Sequence, residues 1–231
     1  MKNYLIIGAS TGIGKALAQQ LSEKGNNVYA TYNQTEIQNS GNIRYQSYNV
    51  LNHEVQLNDL PESIDGFAYC VGSINLKPFA RIKSDQFLED YDLQVGGAIR
   101  ALQQVIPLLK KAEQASVVLF STVAVQNGFN FHSQVSSSKG AIEGLTRALS
   151  AEFAPKIRFN AIAPSLTDTP LAGRLLGSEE KKEANANRHP LKMIGTADNI
   201  AKTASFLITE DSSWMTGQVL HPDGGMSSIR N

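Results

Sequence analysis

Short apolar or β-branched runs alternate along the chain with longer stretches in which apolar residues recur every three or four positions. The runs predict strands at 4–7, 28–32, 43–48, 66–71, 117–120, 157–163 and 218–221, and the longer stretches predict helices at 13–24, 85–111, 133–153 and 197–208. Strands and helices that alternate in this way form parallel strands joined by right-handed crossovers, with helices on both faces. We therefore expect a doubly wound α/β fold with a mainly parallel, seven-stranded sheet.

Two segments depart from this alternation. The crossover at 49–64 is short and has room for one irregular helical turn. The segment 164–190 shows no strand pattern, although it contains a polar, helix-like run at 178–187. Because it follows the carboxyl end of a strand, where connecting loops often carry function, we expect it to act as a substrate lid. No linker or repeat interrupts the pattern, so residues 1–231 are expected to form a single domain.

The composition excludes several classes of protein. Hydrophobic residues make up 42% of the 231 residues, and the 21 basic residues balance the 21 acidic ones. Because nucleic acids and anionic membranes select a basic excess, we expect neither as a partner. The single cysteine, Cys70, allows neither an internal disulfide nor a thiolate metal site, and we expect no metal. A strand is predicted from the first residues and no apolar run could span a membrane, so we expect a cytoplasmic protein.

A glycine-rich turn follows the first predicted strand, and a helix begins directly after it. Gly8 permits the sharp turn, Gly12 lets backbone amides approach an anion, and Gly14 lets the helix pack closely on the sheet. The first amides of a helix have no backbone partners and lie at its positive dipole end. The order of strand, glycines and helix therefore predicts a pyrophosphate site made by Gly8, Ser10, Thr11, Gly12, Ile13, Gly14 and Lys15.

The spacing Gly-x-x-x-Gly-x-Gly resembles that of the short-chain dehydrogenase/reductase family. Four later segments strengthen the resemblance, which extends along essentially the whole chain: 158–164, 188–195, 198–201 and 216–225. The resemblance implies a Rossmann-like fold, a nicotinamide dinucleotide cofactor and a small carbonyl or alcohol substrate. Family members commonly pair through two long helices, so it also implies a homodimer or a homotetramer.

The resemblance also indicates which nicotinamide dinucleotide is preferred. Tyr32, followed by Asn33, stands where members that prefer NAD carry an acidic residue. No carboxylate is present there to repel a 2′-phosphate, and Lys15 offers it a cation, so NADP(H) is favoured over NAD(H). Asn49, followed by Val50, stands where the family usually has an aspartate that touches adenine, and its amide can still form hydrogen bonds. Gly72 is kept beside the adenosine ribose, although Tyr69-Cys70-Val71-Gly72 replaces the family's Asn-Asn-Ala-Gly. The loop that holds the nicotinamide carboxamide is matched by Pro164, Thr167 and Thr169, with Ser165 in place of the usual glycine.

The positions of the family's four catalytic residues are occupied by Gln94, Thr122, Val135 and Lys139. Lys139 is the family's lysine, Thr122 keeps a hydroxyl at the serine position (with Ser121 as a neighbouring alternative), and Gln94 replaces an asparagine. Val135 stands four residues before the lysine, where the family has its proton-donating tyrosine. Valine has no proton to donate, so a general acid is missing at this position.

Other groups near this position carry protons. His132 lies one turn before Val135 and histidine titrates near neutrality, while Lys139 can pass a proton through water. We therefore expect an oxidoreductase related to the short-chain dehydrogenases, with atypical or impaired proton donation. The alternative is a non-catalytic dinucleotide-binding protein, a sensor or an assembly partner, built on the same scaffold.

Overall fold

The computed structural model describes residues 1–229 of the chain. Within these residues the strands are β1 (Asn3–Ile7), β2 (Asn27–Tyr32), β3 (Ile43–Ser47), β4 (Gly66–Tyr69), β5 (Ala115–Phe120), β6 (Ile157–Ile162), β7 (Thr167–Asp168), β8 (Gly195–Thr196) and β9 (Val219–Leu220). Seven of them form one parallel sheet in the order β3-β2-β1-β4-β5-β6-β9. The strand order reverses between β1 and β4, and ligands of α/β sheets bind at such a reversal. The predicted seven-stranded parallel sheet is confirmed.

The helices cover both faces of this sheet. They are α1 (Gly12–Glu23), α2 (Ser84–Tyr91), α3 (Gly97–Leu109), α4 (Val123–Gln126), α5 (Ser133–Phe153), α6 (Glu179–Asn187) and α7 (Ala197–Ile208). A π-helical turn, Asp92–Gly96, joins α2 to α3, so the long helix predicted at 85–111 is continuous but contains a bulge. Bulges of this kind occur frequently at functional sites.

Each sheet face has its own apolar core, and the residues of β1 alternate between the two. Leu5 and Ile7 pack in the cluster that includes α3 and α5, whereas Tyr4 and Ile6 pack in the cluster that includes α1 and α7. This alternation follows from the strand geometry, which directs successive side chains to opposite faces. A parallel strand buried on both faces reads as a continuous apolar run, as the sequence of β1 does.

Two expectations about irregular segments are wrong. The crossover at 49–64 contains turns but no helix, because the side-chain oxygens of Asn49 and Asn52 accept hydrogen bonds from nearby backbone amides at 3.0 Å each. Such local bonds compete with helical ones. The segment 164–190 does contain a strand, since β7 pairs with β8 in a parallel ladder. Two residues are too few to show a strand pattern in a sequence.

The helix predicted at 178–187 is present as α6. Its N-cap is Ser178, whose hydroxyl oxygen accepts a hydrogen bond from the Lys181 amide at 3.2 Å, and its first turn carries Glu179 and Glu180. Both features stabilise a helix N-terminus. Among residues 1–229, no helix is both long and apolar enough to cross a lipid bilayer.

Candidate active site

A cavity of about 270 Å³ opens at the carboxyl ends of β4, β5 and β6, and its wall is mostly apolar. Twelve of the residues singled out for the site line it: Ile13, Gly72, Gln94, Ser121, Thr122, His132, Val135, Lys139, Pro164, Ser165, Thr167 and Thr169. The other candidates lie outside this lining, in the glycine turn and at the ends of β2 and β3: Gly8, Ser10, Thr11, Gly12, Gly14, Lys15, Tyr32, Asn33, Asn49 and Val50.

The glycine turn connects β1 to α1 in a conformation that requires its glycines. Gly8 and Gly12 have φ angles of 82° and 55°, in the left-handed region that favours glycine. A side chain at Gly14 would collide with the Gly8 carbonyl oxygen, so only glycine lets α1 begin this close to the turn. The Thr11 side chain makes no capping hydrogen bond within the described residues. The first amides of α1 are therefore available to an anion.

The residues expected to contact the adenosine lie along the edge of the sheet beside this turn. Tyr32 ends β2 and is half-buried, while Asn33 and Lys15 are exposed. Asn49 is exposed and Val50 is buried just after β3. Among these residues Lys15 is an accessible cation, Asn33 and Asn49 carry amide groups, and neither Tyr32 nor Asn33 is a carboxylate.

Gly72 lies between two polar groups at the bottom of the cavity. A Cβ atom added to Gly72 would lie 3.3 Å from Gln94 Oε1 and 3.5 Å from Lys139 Nζ. Gln94 Oε1 is buried and has no hydrogen-bond partner within residues 1–229. Because buried polar atoms normally have partners, this oxygen and the adjacent ammonium indicate a place for a polar ligand.

Asp90, on α2, organises the polar groups behind Lys139. Its carboxylate is buried and accepts hydrogen bonds from the Gln94 amide at 2.7 Å, from the Ser138 hydroxyl at 2.6 Å and from the Ser73 hydroxyl. These donors come from the π-helical turn, from α5 and from the segment after β4. A carboxylate that satisfies three donors fixes the relative positions of these three elements.

Burial changes the protonation of Lys139. Desolvation lowers the pKa of its ammonium group from 10.5 to about 8, and the negative charge of Asp90 opposes this shift. Burial disfavours the charged form of a lysine, so the group titrates close to neutral pH. Lys139 is therefore suited to bind a polar ligand and to exchange a proton.

The two hydroxyls considered at the end of β5 both line the cavity but differ in their hydrogen bonds. The Ser121 hydroxyl donates to Glu143 Oε1 at 2.8 Å, on the side of α5. Thr122 caps α4, and its oxygen accepts a hydrogen bond from the Ala124 amide at 3.3 Å. Its hydroxyl proton stays available for another acceptor.

Val135 and His132 lie at the start of α5. Val135 is 6% exposed and lines the cavity one helical turn before Lys139, so an apolar group occupies this position. His132 is half-buried; its Nδ1 lies 2.8 Å from the Asn130 carbonyl oxygen and its ring packs against Phe129. The imidazole therefore lies at the wall of the cavity, beside the apolar Phe129 ring.

The loop after β6 returns to the glycine turn. Thr167 is buried, and its hydroxyl donates to the Ser165 carbonyl at 2.9 Å. The Cβ and Cγ2 atoms of Thr169 lie 3.5 Å from the position that a Cβ on Gly12 would take. The loop and the turn are therefore in contact across the mouth of the crevice.

A hydroxyl–imidazole pair forms another part of the wall. Ser165 Oγ lies 2.8 Å from His189 Nε2, and His189 Nδ1 lies 2.9 Å from the Asn185 carbonyl oxygen. Ser165, His189 and Asn185 all line the cavity, and His189 is 2% exposed. The sequence shows Ser165 as an unusual replacement for glycine but gives no sign of its partner.

The comparisons with known proteins agree with this geometry. A family model described as enoyl-(acyl carrier protein) reductase matches residues 8–227. A tropinone reductase homologue of Arabidopsis thaliana is 30% identical, with 97% of this chain and 92% of that protein covered. The 3-oxoacyl-[acyl-carrier-protein] reductase of Staphylococcus epidermidis is 25% identical, with 97% and 98% covered. The chain belongs to the short-chain dehydrogenase/reductase family.

Two solved structures are closely similar in fold to this chain. ElxO with NADP bound has a TM-score of 0.90 at 27% identity, with 99% of each chain covered. The ligand-free aldohexose dehydrogenase of Thermoplasma acidophilum has a TM-score of 0.87 at 25% identity, with 100% of this chain and 96% of that chain covered. The expected family and the Rossmann-like fold are thus confirmed, and with them NAD(P) binding and oxidoreductase character at the level of the family.

Sequence reasoning missed several polar residues of this short-chain dehydrogenase/reductase. Asp90 precedes Gln94 by four residues, a spacing that places both on one helix face, so the contact between them could have been predicted from the sequence. The partners Ser73 and Ser138 come from other elements, so only the fold brings them together. His189 lies 24 residues after Ser165 along the chain, and their contact likewise depends on the path of the intervening segment.

Proposed function

We propose that this short-chain dehydrogenase/reductase transfers hydride between a nicotinamide dinucleotide and a small carbonyl or alcohol, with a proton donor other than residue 135. The observation that carries the proposal is the convergence of Gln94, Thr122, Val135 and Lys139 on one cavity. Lys139 is buried there with a lowered pKa, while Val135 leaves the tyrosine position apolar.

The residues present fit a dinucleotide. The uncapped amides of α1 and the glycine turn suit its pyrophosphate, and the space that Gly72 leaves beside Lys139 Nζ and Gln94 Oε1 suits a ribose. Thr167 and Pro164 would lie at its carboxamide. When bound, the dinucleotide supplies the hydride.

The chain's own residues orient the substrate and exclude water. The Thr122 hydroxyl proton is free to bind a substrate oxygen, and Lys139 lies in the same cavity. Apolar side chains such as Val135 make up most of the lining, and hydrogen bonds are stronger in such surroundings than in water. We assign to the segment 164–190, which carries α6, the role of a lid over this cavity.

NADP(H) is the preferred dinucleotide in this proposal. Lys15 is exposed near the pyrophosphate turn, and Tyr32 and Asn33 place no carboxylate at the end of β2. A cation without a competing carboxylate favours a 2′-phosphate. The solved structure of ElxO, a relative at 27% identity, contains NADP, which supports the same preference.

The alternative is a dinucleotide-binding protein without catalysis. One observation favours it: Val135 is buried in the cavity at the tyrosine position, where it supplies no proton. The two functions share the cofactor site and differ only in turnover.

Calorimetric titration with NADPH and NADH tests binding, and a panel of aldehydes and ketones under the tighter dinucleotide tests turnover. We expect the wild type to bind a dinucleotide. Lys139→Met should weaken that binding at least tenfold, and the exposed control Lys156→Met should leave it unchanged. Binding with no turnover of any carbonyl would favour the non-catalytic alternative. Failure of both dinucleotides to bind would overturn the proposal.

A closed homo-oligomer is the proposed assembly. On α5, a Cβ added to Gly144 would meet no atom within 4 Å, and one added to Gly140 only Val125 at 3.8 Å. This face of α5 thus allows close approach of another helix, whereas Gly97 packs inward against Tyr69. A dimer or tetramer in light scattering at micromolar concentration is expected, and a strictly monomeric mass would contradict it.

A further inference from the structure

The contact of Ser165 with His189 has a defined direction of donation. A carbonyl oxygen can only accept, so the bond of 2.9 Å between His189 Nδ1 and the Asn185 carbonyl places a proton on Nδ1. In the neutral imidazole Nε2 is then an acceptor, and the Ser165 hydroxyl donates to it over 2.8 Å. In the imidazolium the same contact reverses, with Nε2 donating to Ser165 Oγ. The pair thus holds a proton in either state without moving its heavy atoms.

Ser165 lies beside the residue that would bind the substrate oxygen. In the register of β5 and β6, Phe120 pairs with Ile162, and the Val123 amide donates to the Pro164 carbonyl at 3.2 Å. Thr122 precedes Val123 and Ser165 follows Pro164, so both leave the same end of two neighbouring strands. Both hydroxyl-bearing residues line the cavity just beyond the ends of these strands.

We propose that Ser165 donates the proton to the substrate oxygen during carbonyl reduction and that His189 supplies it. This proposal rests on the proposed oxidoreductase function. The carbonyl carbon accepts a hydride from the reduced nicotinamide dinucleotide, which forms a C–H bond and breaks the C=O π bond. The oxygen takes the proton of Ser165 Oγ, and Ser165 takes the Nε2 proton of the His189 imidazolium. The products are an alcohol and neutral His189, and alcohol oxidation follows the same steps in reverse.

The charged surroundings of His189 are compatible with this role. On the C-terminal segment, Asp223 and His221 line a second cavity that His189 also lines. The Asp223 carboxylate accepts hydrogen bonds from the backbone amides of Gly225 and Ser227, so its charge is fixed there. Lys139 lines the first cavity, and Arg188 and Lys192 lie near His189 along the chain. His189 therefore has both acidic and basic groups in the cavities that it lines.

The competing donor is His132, which lines the same cavity. Its Nδ1 is also bonded to a carbonyl, that of Asn130, but its ring packs on Phe129 and is half-exposed. His189 differs in being buried and in being linked to a hydroxyl beside Thr122. His132→Ala therefore tests the competing donor: a fall in kcat in this variant and not in His189→Gln would overturn the proposal. The neutral control is His53→Gln, whose side chain is 66% exposed and lies outside the cavity lining.

The test compares His189→Gln and Ser165→Ala with His132→Ala, using NADPH and 4-nitrobenzaldehyde as probes. We expect NADPH affinity within threefold of the wild type in all three, and a kcat about a hundredfold lower in His189→Gln and in Ser165→Ala only. The KM for the aldehyde should stay within threefold of the wild type in His189→Gln and in Ser165→Ala, because the two residues act on proton transfer and not on substrate binding. A merely structural contact would not separate kcat from KM in this way.

A readout without cofactor is available from ¹⁵N NMR of the histidine rings. It should show His189 protonated at Nδ1 with Nε2 accepting, and Ser165→Ala should shift the Nε2 resonance. A wild type that binds NADPH without any turnover would overturn the proposed function, and with it the proton relay from His189 through Ser165 to the substrate. Turnover in the wild type that both variants retain within threefold, or a His189 protonated at Nε2 when neutral, would overturn the relay alone.

Discussion

The Asp90 carboxylate on α2 accepts a hydrogen bond from the Ser138 hydroxyl on α5 at 2.6 Å. Ser138 directly precedes Lys139, so this bond fixes the part of α5 that carries the buried ammonium group. Asp90 also accepts a hydrogen bond from the Gln94 side-chain amide at 2.7 Å. Gln94 Oε1 then lies close to Gly72 and has no hydrogen-bond partner among the described residues. One buried carboxylate therefore positions both polar groups at the bottom of the cavity.

Replacing this carboxylate should destabilise the fold. In Asp90→Asn the new NH2 group faces the Ser138 and Ser73 hydroxyls and the Gln94 amide, which are all donors. An unsatisfied buried polar group costs about 1–3 kcal/mol in the free energy of unfolding. Urea denaturation measures this loss. The control is Asp85→Asn, an exposed residue in the first turn of the same helix, where the loss should be at most about 1 kcal/mol. Equal losses in the two variants would show that Asp90 has no organising role.

Burial of Lys139 predicts a dependence of stability on pH. Its pKa falls from 10.5 to about 8 on folding, so between these values the unfolded chain binds more protons than the folded one. The free energy of unfolding should therefore rise with pH through this window, by up to about 1.4 kcal/mol per pH unit from this group. Urea denaturation of the wild type and Lys139→Met across the window measures the effect as a difference between the two proteins.

The wild type has to be compared with Lys139→Met because other buried groups change the free energy of unfolding with pH in the opposite direction. Burial raises the pKa of Cys70 and of Tyr4 to about 12 each, which lowers the free energy of unfolding as pH rises above their ordinary values. Both proteins share Tyr4, so its contribution cancels. The charge of Lys139 lowers the pKa of Cys70, so both proteins are compared in a Cys70→Ala background, which removes that group. If the two proteins show the same dependence between pH 8 and 10.5, Lys139 is not desolvated as the structure indicates.

The sequence predicts the sheet and the glycine turn because both depend on local pattern. Strands such as β1 are continuous apolar runs, and the turn needs glycine at φ angles that other residues rarely adopt. The helix of Lys139 is equally local, since its apolar residues recur with helical spacing. These features can be predicted without knowing which distant segments are in contact.

The features that could not be predicted depend on contacts between segments that are distant in the sequence. The ladder of β7 with β8 joins segments 28 residues apart, as the pairing of Thr167 with Gly195 shows, and each strand has only two residues. The pair of Ser165 and His189 forms because the segment 164–190 returns to its own first residues. The crossover at 49–64 was misjudged because asparagine side chains satisfy its backbone amides locally, which a pattern of apolar residues does not reveal.

The glycine turn can be tested with a matched pair of substitutions. Gly12 and Gly25 both have positive φ angles, 55° and 80°, but only Gly12 lies in the turn before α1. Gly12→Val should lower NADPH affinity at least a hundredfold in calorimetry, because a side chain there occupies the approach of the pyrophosphate. Gly25→Val carries a similar strain of about 1–2 kcal/mol and should leave that affinity unchanged. Unchanged affinity in Gly12→Val would remove the dinucleotide from this turn.

The preference for NADP(H) depends on Lys15 and on the missing carboxylate at Tyr32. Lys15→Ala should weaken NADPH binding about fivefold, the effect expected of an exposed charge pair of about 1 kcal/mol, and leave NADH binding unchanged. Tyr32→Asp should weaken NADPH further and strengthen NADH. Lys24→Ala, at the other end of α1, is the control and should change neither affinity. If Lys15→Ala affects both dinucleotides equally, Lys15 does not recognise the 2′-phosphate.

Restoring an acid at residue 135 tests whether the rest of the site is competent. Val135 precedes Lys139 by four residues on α5, so a tyrosine there places a phenol on the same helix face as the ammonium group. The positive charge of Lys139 should lower the pKa of that phenol and make it an effective donor. In the His189→Gln background, Val135→Tyr should raise kcat for 4-nitrobenzaldehyde about a hundredfold, the low end for a positioned acid. Val135→Phe fills the same space without a hydroxyl and should give no gain. A rate that rises equally with Phe and Tyr would mean that shape, rather than proton donation, limits the reaction.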